Sequence, residues 1–62
     1  MSLETYLGKL KINTKVSVVY KGRETDIVEA YEMYTNKMSG LFTVVGIDVV
    51  KYPITHLRIT VR

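Results

Sequence analysis

Residues 26–40, DIVEAYEMYTNKMSG, satisfy two periodicities, and the choice between them decides the fold. At 3.6 residues per turn, Ile27, Tyr31, Tyr34 and Met38 fall at i, i+4, i+7 and i+11, one apolar stripe with Ala30 beside it and Glu29, Glu32 and Asn36 turned to water. The ends suit a helix as well. Asp26 and Glu29 make a D-x-x-E capping pair for the backbone N–H groups left unpaired at a helix start. Acidic residues there complement the helix dipole, Lys37 does so at the other end, and Gly40 suits the left-handed closing position. At period two, Ile27, Glu29, Tyr31 and Met33 share one face and Val28, Ala30, Glu32 and Tyr34 the other, so neither face is cleanly apolar, and TNKMSG becomes a hairpin loop. Period, caps and dipole together predict a helix from Ile27 to Met38.

The flanking segments alternate like strands. In YLGKLKIN, residues 6–13, Tyr6, Leu10 and Ile12 oppose Leu7, Lys9 and Lys11; in KVSVVYK, residues 15–21, Val16, Val18 and Tyr20 oppose Lys15, Ser17, Val19 and Lys21. Asn13-Thr14 between them reads as a tight hairpin. LFTVVGIDVVKY, residues 41–52, is apolar almost throughout, the pattern of a central strand covered on both faces, with Gly46 at a bulge and Tyr52-Pro53 ending it. HLRITVR, residues 56–62, places Leu57, Ile59 and Val61 on one face and His56, Arg58, Thr60 and Arg62 on the other. The expectation is a single α+β domain over residues 1–62, in the order β-β-α-β-β: a four-stranded, largely antiparallel sheet with one helix on one face. Ile27, Tyr31, Tyr34 and Met38 would then meet Tyr6, Leu10, Ile12, Val16, Val18, Leu57, Ile59 and Val61.

A 62-residue chain buries only about 60% of its unfolded surface, so extra buried area is valuable. The chain has no cysteine, which excludes disulfides and thiolate metal sites, and one histidine. A homodimer is the expected source of further burial. No segment approaches the roughly 20 apolar residues of a membrane span, so a cytoplasmic protein without membrane contact is expected.

Charge is segregated. Residues 1–22 carry +3, residues 23–38 carry −2 and residues 39–62 carry +2, for a net charge of +3. By strand alternation Lys9, Lys11, Lys15, Lys21, Arg58 and Arg62 share the sheet face opposite the helix. A basic face attracts phosphates by counterion release, which makes a non-enzymatic accessory protein binding DNA or RNA the leading expectation. Alternating lysines also keep an open sheet face wet and its edges unpaired. The alternative is therefore a small regulator or inhibitor binding another protein through that face, an edge strand or the acidic helix. Tyr6, Tyr20, Tyr31 and Tyr34 all have core positions in this scheme, leaving no platform for base stacking, and only Tyr52 is without one.

Catalysis has little support. His56 falls on the open face without a placed nucleophile, Asp48 interrupts an apolar strand, and GKL at residues 8–10 lacks the rest of a P-loop. Neither an enzyme nor a cofactor or metal is expected.

VSVVYKGRETDIVEAYEMYTN, residues 16–36, resembles the first motif of the Sm-like RNA-binding proteins: strand, KGRE turn, bent strand, acidic residue and Asn. The resemblance implies a small β-barrel, with Glu32 and Asn36 near a uridine pocket and TVVGIDVV as the second motif. The strand-bending glycine is absent, Glu32 stands in place of Asp, and TVVGIDVV lacks an arginine-glycine pair. The resemblance requires residues 26–38 to be strand.

Overall fold

A computed structural model of the chain describes residues 1–35 and 41–62. In chain order its elements are α1 (Leu3–Gly8), β1 (Lys15–Tyr20), β2 (Arg23–Glu24), β3 (Val28–Glu29), α2 (Ala30–Tyr34), β4 (Val44–Val50) and β5 (His56–Val61). They form a small α+β domain with a mixed five-stranded sheet and two short helices. The fold class is as expected; the order of elements and the direction of pairing differ.

The first difference is at residues 6–13, which begin in helix α1 and not in a strand. Ser2, with extended backbone, caps the helix, and its hydroxyl accepts the Thr5 N–H at 3.1 Å. Leu3, Tyr6, Leu7 and Leu10 lie at i, i+3, i+4 and i+7, and Leu3 and Leu7 are buried in the core. The alternation read over 6–13 is the C-terminal part of this helical pattern. No hairpin forms at Asn13-Thr14; the Thr14 N–H closes a turn on the Lys11 carbonyl at 3.0 Å.

The deciding stretch contains both structures in succession. Val28 and Glu29 pair antiparallel with Val16 and Lys15, and the helix starts only at Ala30. Between β2 and β3 a side chain completes the ladder: Thr25 donates its N–H to the Val18 carbonyl at 2.9 Å and accepts the Val18 N–H on its hydroxyl at 3.0 Å. Residues 23–29 thus follow β1 as one interrupted strand, whose pairing displaces the first helical turn. The helix N-cap is Glu29, not Asp26, and it makes no side-chain cap; its carboxylate is 3.3 Å from Lys15 Nζ instead. The expected helix end at Met38, with Lys37 and Gly40, lies outside the described residues.

The sheet order is β2-β1-β5-β4, with β3 beside β1 on the same side as β2. β1 and β5 run parallel from Val16↔Leu57 to Tyr20↔Val61, so the sheet is mixed and not largely antiparallel. β1 turns into β2 through Lys21 and Gly22, at φ 52° and 80°; two positive φ values suit a two-residue hairpin turn, and glycine takes the second without strain. β4 pairs antiparallel with β5, with its register shifting between Val44 and Gly46, where the sequence suggested a bulge. β4 is an edge strand, not the covered central strand expected. Its Val45, Ile47 and Val49 are 54%, 43% and 65% exposed. Among the described residues the sheet has two edges and does not close, and residues 30–34 are helical. The small β-barrel implied by the Sm-like resemblance is therefore not formed: Glu32 lies exposed on α2, and Asn36 is outside the described residues.

Both helices cover one face. Leu3, Leu7 and Ala30 pack with Val16, Val18, Ile59 and Val61, flanked by half-buried Tyr6, Leu10, Val28, Met33, Phe42, Val44 and Leu57. The sheet residues of the expected core are in place; Ile12, Tyr31 and Tyr34 are exposed instead. Starting at Ala30 turns that small side chain toward the sheet and rotates both tyrosines outward.

The two possible caps differ in consequence. In urea unfolding, Ser2→Ala is expected to cost about 1 kcal/mol, whereas Asp26→Ala stays within about 0.5 kcal/mol of the parent.

Candidate nucleic-acid interface

The six basic residues expected on one sheet face fall into three places. Lys15 and Arg58 point to the face away from the helices, since their registers with Glu29, Ser17 and Asp48 place all of these on one side. Lys21 and Arg62 sit at the end where β1 and β5 finish, with Arg23 opposite Tyr20. Lys9 and Lys11 follow α1, near the start of β1, on the helical side. Five residues of strand, about 17 Å, separate the two ends. The single basic sheet face is not assembled.

The open face is also neutralised locally. Lys15 Nζ is paired with Glu29 Oε1 at 3.3 Å, and Asp48 is the cross-strand neighbour of Arg58. Ser17, fully buried, donates its hydroxyl to Glu24 Oε2 at 2.9 Å. Acid and base alternate across this surface.

An aromatic recess opens on the helical side. Leu7, Gly8, Leu10, Ile12, Tyr31 and Tyr34 line an open recess of about 160 Å³ between α1 and α2. The close approach depends on Gly8, where a Cβ would lie 3.3 Å from Tyr34 Cε1. Tyr31 is held to the opposite wall by its N–H to the Ile12 carbonyl, 3.4 Å. Lys9 and Lys11, both exposed, flank Leu10 in the chain. Phenol rings offer flat faces to stack on bases, and exposed lysines offer charge to phosphate.

A second aromatic site occupies the far end of the sheet. Tyr20 packs edge-on to Phe42 with centroids 5.1 Å apart, and Lys21 Nζ lies 5.3 Å from the Tyr20 ring centre. Tyr20, expected inside, is 38% exposed.

His56, expected on the wet face, is only 4% exposed. Its Nδ1 lies 2.7 Å from the Ile54 carbonyl and donates to it, and the buried Nε2 has no partner among the described residues. It adjoins an open depression with Asn13, Thr14, Lys15, Val49, Thr55 and Leu57. Among the described residues no three His, Asp or Glu side chains gather as metal ligands, and no helix is long and apolar enough to cross a membrane. No protein-family model, curated protein or solved structure matches the chain.

Tyr31 and Tyr34 are the site residues that sequence reasoning assigned to the core. The signal that places them outside is the pairing of Val28 with Val16, which delays the helix by three residues.

The Ser17–Glu24 bond gives an asymmetric expectation. Glu24→Ala leaves a buried hydroxyl unpaired and is expected to cost about 1–3 kcal/mol, whereas Ser17→Ala removes the buried polar group itself and costs less, both read from urea midpoints.

Proposed function

We propose that the protein is a non-enzymatic accessory factor that binds single-stranded nucleic acid through its helical side. The observation that carries this reading is the recess lined by exposed Tyr31 and Tyr34, whose other wall, Gly8, Leu10 and Ile12, alternates in sequence with exposed Lys9 and Lys11. Stacking on tyrosine tolerates any base, and lysine contact with phosphate is indifferent to sequence, so the binding is general. The mixed charge of the open sheet face argues against that face as the phosphate site. Lys21, Arg23 and Arg62, with Tyr20, form a separate cationic group at the far end of the sheet.

A second reading, a regulator binding another protein, draws on the same recess, because Ile12 is exposed beside Tyr31 and an apolar side chain of a partner would fit there. A pull-down that recovers one protein irrespective of nuclease treatment favours this second reading.

Fluorescence anisotropy with labelled single-stranded DNA and RNA tests the first. Lys9→Gln with Lys11→Gln is expected to reduce the slope of log affinity against log salt by about 1.4, for two lost phosphate contacts at about 0.7 each. Tyr31→Ala and Tyr34→Ala each weaken binding by about 1–3 kcal/mol. Lys15→Gln with Arg58→Gln, the control on the neutralised face, leaves the slope unchanged. Absence of binding by the parent protein at low salt sinks the proposal.

A further inference from the structure

We infer that β4 is a self-complementary docking edge, and that its partner is the β4 of a second copy of this chain, paired antiparallel across a two-fold axis at Ile47. This inference is independent of the nucleic-acid reading, which uses the opposite side of the sheet order.

Three observations carry it. First, among the described residues β4 has one strand neighbour, β5, and between Val45 and Val50 its outer edge is unpaired; before that, the Met1 carbonyl takes the Val44 N–H at 2.8 Å, and Leu3 donates its N–H to the Phe42 carbonyl at 2.9 Å. From Val45 to Val50 the free edge has no lysine, no proline and a single charge, Asp48; Lys51 and Pro53 come only after it. Solvent-facing edges are ordinarily blunted by such residues.

Second, the strand is close to a palindrome. VVGIDVV reads nearly the same in both directions about Ile47. A two-fold contact requires a surface that complements itself. Antiparallel pairing about Ile47 sets Ile47 against Ile47, Val45 against Val49 and Gly46 against Asp48. The lone carboxylate therefore faces a residue with no side chain, not a like charge, while Arg58 lies beside it in its own β5. Val45, Ile47 and Val49, the exposed apolar residues of the strand, supply the paired side chains.

Third, the same register joins exposed groups from opposite ends of β4. Tyr52, 85% exposed, follows β4, and Leu41, 71% exposed, precedes it. Antiparallel pairing runs over Val45–Val49, because Met1–Leu3 already occupies the outer edge at Phe42–Val44, and it brings the Tyr52 loop of one copy toward that Met1–Leu3 segment of the other. Tyr52, which has no role within its own chain, then has one between chains. The outcome is a sheet continuous through both copies, in the order β2-β1-β5-β4-β4-β5-β1-β2.

Sedimentation equilibrium of the whole chain tests the inference. The parent is expected at twice the 7.1 kDa chain mass at micromolar concentration. Ile47→Lys, which opposes two like charges on the axis, should return the monomer with an unchanged far-ultraviolet circular dichroism spectrum. Because a single variant is open to misfolding, a charge pair fixes the register. Val45→Lys with Val49→Lys should be monomeric. Val45→Lys with Val49→Glu, which places each lysine opposite the partner's glutamate, should restore the dimer. A monomeric parent at high micromolar concentration overturns the proposal. So does a dimer indifferent to Ile47→Lys, or equal behaviour of the two double variants, either of which assigns the contact to another surface or partner.

Discussion

The parallel pairing of β1 with β5 is the constraint on which the rest depends. Five consecutive pairs, Val16 with Leu57 through Tyr20 with Val61, join segments near the two ends of the sequence. Parallel strands are ordinarily covered on both faces, and here the helices cover one face while further strands flank the pair. β2 and β3 share one side of β1, β4 takes the free side of β5, and α1 and α2 lie over Val16, Val18, Ile59 and Val61. Ile59 shows the result: fully buried, it stands between Val18 and Ile47 in the sheet. Every intervening segment must fit between two strands that point the same way, which leaves β4 at the edge.

That arrangement also determines where charge is available. On the open face, register brings Lys15 to Glu29 and Arg58 to Asp48, so cations that look clustered in sequence are compensated in space. Among the described residues Lys9 and Lys11 in the turn after α1, Lys21 at the far end of β1 and Lys51 after β4 make no ion pair. A surface suited to a polyanion thus arises from the ends of elements and not from a strand face.

The sequence made the β-rich part of the fold legible and obscured the helices. Val16, Val18, Ile59 and Val61 alternate cleanly, and their burial follows. Gly46 marked the irregularity in β4 because the apolar alternation slips there. Residues 6–13 misled because Gly8, Lys9 and Lys11 break the apolar run at period two, while the helical spacing starts earlier, at Leu3 under the Ser2 cap. Asp26 looks like a cap since its spacing to Glu29 is right; what the local pattern does not show is the long-range pairing, Thr25 on Val18 and Val28–Glu29 on β1, that keeps the helix from starting there. Such long-range pairing outweighs local propensity. The same error put Tyr31 and Tyr34 in the core, which is why the recess was not foreseen.

Gly8 has a bearing beyond its own helix. The ring of Tyr34 rests where a methyl group at position 8 would begin to press on it, at 3.3 Å. The tilt of that ring is therefore governed by an empty volume 26 positions earlier in the chain. Graded additions at position 8, from hydrogen to methyl to hydroxymethyl, act as a dial on the aromatic surface while leaving every atom of α2 unaltered in sequence. The shape of the recess can be tuned from the neighbouring helix.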